Sequence, residues 1–225
     1  MSGTVDDRIR FAYGRMSMTD KFPSRKYPDA GAFVADYARL VAAGLTSVRS
    51  SEIDRAAAAL KQAIQGDRLI FACGNGGSAA IANHLTCDCS KNVATNTTLR
   101  PRVVSLSHTI ELITAIANDI DYAEIFAFQL RNAARPGDVL ITISSSGDSE
   151  NIVRALSWAR DNGLGTIAMS GFSGGRSAKT ADISLHVAAE NYGVVEDAHQ
   201  ALMHILAQYV RMSELPAELV QTLRF

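Results

Sequence analysis

The chain has 225 residues, 47% hydrophobic and 20% charged, with a formal net charge of −1. That length and composition suit one globular domain with a core of its own, and the near-neutral balance excludes the basic excess by which nucleic-acid binders hold a polyanion. The longest apolar runs, such as VLITI at 139–143, fall far short of the roughly 20 residues that cross a bilayer. MSGTVDDRIR lacks the apolar stretch of a secretion signal, so a soluble, cytoplasmic protein with no membrane or nucleic-acid partner is expected.

Residues 1–28 mix charges, methionines and prolines without periodicity and read as an N-terminal arm; the remainder, 29–225, reads as one domain. DAGAFVADYARLVAAGL puts Phe33, Tyr37, Leu40 and Val41 on one helical stripe. SSEIDRAAAALKQAIQG opens on a serine cap and closes at Gly66, so two amphipathic helices precede the first strand. Short apolar runs then alternate with helical segments. RLIFAC, RVVSL, DVLITIS, GTIAMS and ISLHV read as strands, with helices expected at 78–91, 110–118, 123–134, 149–162, near Ala178 and at 194–212. Strands that are apolar throughout and separated by helices predict an α/β three-layer sandwich around a five-stranded parallel sheet. Cys73, Cys87 and Cys89 are an odd number clustered in one segment, a poor disulfide framework; they are expected to be small buried side chains in a reducing compartment.

In such a sheet ligands bind beyond the carboxyl ends of the strands. The first strand ends in CGNGGSA, where Gly76 and Gly77 let backbone approach a ligand and free amides at the helix start attract an anion. The spacing is neither a dinucleotide fingerprint nor a Walker loop, so no nucleotide cofactor is expected. ITISSSGDSENIV carries a stronger signal: Ser144, Ser145, Ser146 and Ser149 surround Gly147, and hydroxyls with helix-start amides can hold a phosphate dianion without Arg or Lys. His84 and Asp88 are one turn apart on one helix, and Glu196, His199 and His204 share a broad face of the last. Two imidazoles and two carboxylates suit a divalent metal or acid–base work, while a hydrogen-bonded structural role is the alternative for either histidine taken singly. His199 reads as a packing or supporting residue, His186 as core, and His108 as a strand-end residue within reach of ligand.

GNGGSA, TAIANDIDYAEIFAFQL, PGDVLITISSSGDSENIVRAL, SGFSGG and EDAHQALMHIL together resemble the sugar isomerase (SIS) domain family, and within it the sedoheptulose 7-phosphate (phosphoheptose) isomerases, over 29–212. The resemblance implies a SIS-type fold and an aldose–ketose isomerase that converts sedoheptulose 7-phosphate to D-glycero-D-manno-heptose 7-phosphate. The serine loop would grip the phosphate, with Asn75, Gly76, Gly77 and Ser78 lining the same pocket. The family's His-x-x-x-Glu and Gln-x-x-x-x-x-x-x-His become His84, Asp88, Glu196 and His204, four residues implied to hold one divalent metal, zinc by resemblance, or to transfer protons. Glu196 would be the base on carbon and His204 the acid and base at the oxygens, with Asp88 able to exchange roles with Glu196. Thr109 stands where the family's sugar-contacting Asp is found, and Asp148 where Asn is common. A homotetramer is implied as well. The rival is a non-enzymatic SIS module that binds a phosphosugar or a protein as a sensor or adaptor.

Overall fold

The computed structural model of the protein describes residues 21–225. Helices α1 (Ala30–Ser47) and α2 (Ser50–Gln65) come first. Asp29 caps α1 by accepting from the Ala32 amide at 2.8 Å. The serine expected to cap the second helix is instead its first residue, with Arg49 at the cap position and no capping side-chain bond. The arm expected at 1–28 lies outside the described residues up to position 20. Its last residues dock: Phe22 is buried and its carbonyl accepts from Asn191 Nδ2 at 2.9 Å, while Tyr27 donates to the buried Asp36 at 2.7 Å.

Five parallel strands follow, β1 (Leu69–Gly74), β2 (Arg102–Ser105), β3 (Val139–Ser144), β4 (Gly165–Ser170) and β5 (Ile183–His186), in the order β2-β1-β3-β4-β5. The crossover helices are α3 (Gly77–Asp88), α4 (Ile110–Asp119), α5 (Ala127–Ala133), α6 (Glu150–Asp161) and α7 (Gly175–Thr180); α8 (Tyr192–Met212) and the short α9 (Ala217–Val220) close the chain. Every residue of β3 is buried, which is why its sequence shows no alternation. One core layer packs Ile70, Ala72, Ile141, Ile143 and Ile167 against α2, α3 and α8. The other packs Phe71, Leu140, Leu130 and Ile152 on the opposite face. This is the expected three-layer sandwich.

Two local departures matter for function. The helix expected at 78–91 stops being α-helical at Asp88 and continues as a π-helical turn, Cys89–Val93. The wider turn lets Asn92 Nδ2 reach back to Asp88 Oδ1 at 3.0 Å. The three cysteines divide: Cys73 and Cys89 are buried as expected, but Cys87 is exposed, because position 87 falls on the outer face of α3. The apolar stripes of α1 and α2 find cover within the chain through Leu40, Leu60 and Ile64 in the core, although Val34 of α1 is exposed, and α8 exposes Ile205, Tyr209 and Met212.

Candidate active site

The strand order reverses between β1 and β3, since the chain leaves β1 for the edge strand β2 and returns to β3 on the other side. The loops after β1 and β3 therefore part at that point and leave a crevice between them. It is a cleft of about 160 Å³ lined by Asn75, Ser78, Ser144, Ser145, Ser146, Ser149 and Glu196, with Ile143 and Tyr192. The structure thus brings together all four predicted serines, Asn75, Ser78 and Glu196. None of the lining residues is Lys or Arg. A dianion there would depend on hydroxyls and amides: α6 opens at Glu150 without a side-chain cap from Ser149, which leaves first-turn amides for an anion to meet. The Ser145 hydroxyl is buried and has no hydrogen-bond partner among the described residues. A buried, unpaired hydroxyl at a ligand cleft is costly unless a ligand satisfies it.

Gly76 and Gly77 shape the cleft through backbone. Gly76 sits at φ +55°, and a Cβ at Gly77 would lie 2.5 Å from Glu196 Oε2, so only glycine lets that carboxylate rest against the turn. Asn75 and the buried Asn151 of α6 exchange two hydrogen bonds of 3.0 Å each, and Tyr122 Oη donates to Asn75 Oδ1 at 3.0 Å. Asn151 is a supporting residue that sequence reasoning missed; its only signal is an amide in an otherwise apolar inner face of α6.

The serine loop is held from behind. Ser177 N and Oγ both donate to Gly147 O, at 2.9 and 2.8 Å, and Gly171 N donates to Ser145 O at 3.0 Å. Asp148 does not confront the cleft: it accepts from Arg176 N at 2.9 Å and Arg176 Nε at 3.1 Å, which together hold its carboxyl below the ordinary carboxylate range. Thr109 is not among the cleft-lining residues; its hydroxyl meets His108 Nε2 at 3.0 Å, and His108 Nδ1 contacts Ser105 O. His108 lines a separate cleft with Asn83, Thr86 and Ser105.

His84, Asp88 and His204 form a second cluster, each offering a ligand atom within 4.8 Å of the others. His84 Nε2 lies 3.4 Å from Asp88 Oδ1 and His204 Nε2 lies 3.6 Å from Asp88 Oδ2, with the imidazole rings edge-on at 4.9 Å. Two imidazoles and a carboxylate are the donor set of a catalytic zinc site with one position open, so these residues fit a divalent metal. Glu196, expected as the fourth member, is not in the group. Eight residues of α-helix advance about 12 Å, so Glu196 and His204 stand two turns apart and Glu196 reaches the serine cleft instead. Between the two imidazoles stands Gln200, one turn before His204, whose Nε2 lies 3.1 Å from both His84 Nδ1 and His204 Nε2.

His199 is fully buried on the inner side of α8, with neither ring nitrogen in hydrogen-bond geometry among the described residues. Burial pushes its pKa down to about 4, the Ser170 backbone offsetting only part and the nearby His186 adding to the fall. Its unfolded value near 6.5 exceeds the folded one, so the unfolded chain takes up a proton that the folded chain refuses. The stability tied to neutral His199 is complete above about pH 6.5 and is lost as pH falls toward 4, on the order of 3 kcal/mol in total. Denaturant unfolding across that range is expected to fall more steeply for the parent than for His199→Leu; parallel profiles would contradict this.

Residues 32–171 match the SIS domain family. A phosphoheptose isomerase of Halorhodospira halophila is 36% identical over 164 residues, 71% of this chain and 81% of that protein. One from Mycobacterium tuberculosis is 38% identical over 156 residues, 64% of this chain and 78% of that protein. Among solved structures, a phosphoheptose isomerase from Neisseria gonorrhoeae superposes with a TM-score of 0.73 at 30% identity, over 80% of this chain and 96% of that one. With its parallel sheet, its serine-lined crevice at the β1–β3 switch and these relatives, the chain belongs to the SIS domain family.

Proposed function

We propose that the protein is an aldose–ketose isomerase that converts sedoheptulose 7-phosphate to D-glycero-D-manno-heptose 7-phosphate. The observation that carries this reading is a carboxylate, Glu196, in the same cleft as four serines and no cation. Hydroxyls and helix-start amides bind the phosphate. An isomerase then has to move a proton between C1 and C2 through an enediol, and a positioned carboxylate is a suitable base on carbon.

In this reading Glu196 takes the carbon proton and His204 exchanges protons with the sugar oxygens, while Asp88 holds the two imidazoles in register. The phosphate of a heptose 7-phosphate is separated from the reacting carbons by most of the chain, so in this reading a grip at the serine loop leaves C1 and C2 to lie between Glu196 and the imidazoles farther along α3 and α8. His84, Asp88 and His204 would hold one divalent metal per subunit, zinc in this proposal, which when bound supplies Lewis acidity toward the substrate's oxygens. No nucleotide is needed. No helix among the described residues is long and apolar enough to cross a membrane, in keeping with a cytoplasmic enzyme. Ile205, Tyr209 and Met212, exposed in one stripe of α8, suit contacts between subunits of a homotetramer.

A panel of C5, C6 and C7 ketose phosphates, assayed for aldose formation with and without added zinc, tests the proposal. Turnover is expected on the C7 substrate. Binding of every sugar phosphate without turnover of any would instead favour the adaptor reading.

A further inference from the structure

We infer that Gln200 is a positioning residue for the His84–Asp88–His204 cluster: its carboxamide selects the tautomer of His84, donating to the ring when the cluster is empty and turning over to accept from it when a divalent cation is held. This rests on the metal reading above and concerns a residue to which that reading gives no part.

An amide nitrogen carries two protons and no lone pair to give, so both partners of Gln200 Nε2 must accept. The contacts of 3.1 Å to His84 Nδ1 and His204 Nε2 therefore leave both of those nitrogens unprotonated. A neutral His84 then carries its proton on Nε2, directed at Asp88 Oδ1 3.4 Å away. Asn92 donates to the same Asp88 oxygen at 3.0 Å, and in a neutral His204 the proton is left on Nδ1.

That arrangement cannot hold a cation. His84 Nε2 and His204 Nε2 both face the Asp88 carboxylate, and a ligating imidazole must offer a lone pair there. In His84 one proton leaves Nε2 and one is taken up at Nδ1, so the ring stays neutral. Nδ1–H then needs an acceptor, and the group beside it is Gln200. Rotation of the carboxamide by half a turn replaces the donor with Oε1. The same rotation withdraws the N–H from His204 Nε2 and frees that lone pair. One side chain on α8 thus sets both ligand nitrogens at once, as partners behind metal-bound histidines do.

Zinc affinity, read by competition with a chromophoric chelator, and the ring ¹⁵N shifts of His84 test the inference. Gln200→Leu, close in size but unable to accept, is expected to bind zinc about 10- to 100-fold more weakly. Gln200→Glu, which can only accept, should bind within threefold of the parent or tighter. In the parent, His84 should pass from the Nε2–H tautomer without zinc to the Nδ1–H tautomer with it. Equal affinity in the leucine variant and the parent would overturn the role of Gln200 while leaving the metal reading in place, as would equal weakening by leucine and glutamate or an unchanged His84 tautomer. A parent chain that binds no zinc removes the metal reading and this inference together. Far-ultraviolet circular dichroism of each variant reports whether it is folded.

Discussion

Glu196→Gln is expected to lower kcat for heptose phosphate isomerisation by about 10²- to 10⁴-fold with little change in KM, the loss typical of removing a positioned base. Amide and carboxylate have the same shape, so the side chain should keep its place against Gly77 while losing its ability to take a proton. Asp88 is the competing base, and the geometry distinguishes the two. Asp88 is buried, its Oδ1 accepts from Asn92, and each of its oxygens faces an imidazole. Glu196 makes no hydrogen bond or ion pair among the described residues and lines the cleft. A base needs an oxygen free to meet the substrate, and that favours Glu196. The resembled family carries Gln at this position, which sharpens the test: if Asp88 were the base, the glutamine variant would turn over at nearly the parent rate. Steady-state kinetics on Glu196→Gln and Asp88→Asn decide between them.

Gly147→Ala is expected to abolish tight sugar-phosphate binding, weakening it by more than about tenfold, the equivalent of one or more lost buried hydrogen bonds. Gly147 has φ +66°, and an added Cβ would run into the carbonyl of Gly174 on the turn that braces the serine loop. Alanine in that conformation costs about 1–2 kcal/mol before any contact is counted. Because the obstacle is backbone, relief requires moving the loop or its brace, and the serines move with it. Gly163→Ala separates the two effects. It has φ +74° but room for a Cβ, the nearest atom being Pro136 Cβ at 3.5 Å, and it lies in the turn before β4, away from the cleft. That variant should lose stability by the conformational cost alone and bind substrate normally. Calorimetric titration with sugar phosphate checks both, and equal affinity in the two variants would contradict the account of the loop.

The sheet was legible because apolar strands bounded by glycine, proline and serine turns leave little choice, and β1 through β5 lie within a residue or two of RLIFAC, RVVSL, DVLITIS, GTIAMS and ISLHV. The serine loop was legible for a related reason: hydroxyls crowded after a buried strand have no core role. Helical periodicity, by contrast, gives the face of a residue and says little about its height. It put Glu196 and His204 on one side of α8, but the cleft and the cluster lie two turns apart, and Glu196 went to one while His204 went to the other. Asn151, Arg176 and Gln200 were missed because each acts on a partner distant in sequence, and an isolated amide or guanidinium on a helix carries no pattern that names its partner. The π-helical turn after Asp88 has no sequence mark either, although it brings Asn92 onto the carboxylate that the two histidines share.

The most direct measurement of the central claim is proton NMR of sedoheptulose 7-phosphate incubated with the protein in deuterium oxide. Proton transfer through an enediol predicts the appearance of the aldose with deuterium in place of the C2 proton, together with loss of C1 proton signal from the recovered ketose, and neither change with Glu196→Gln. An unchanged ketose spectrum with the parent protein, under conditions where calorimetry shows the sugar bound, would contradict it.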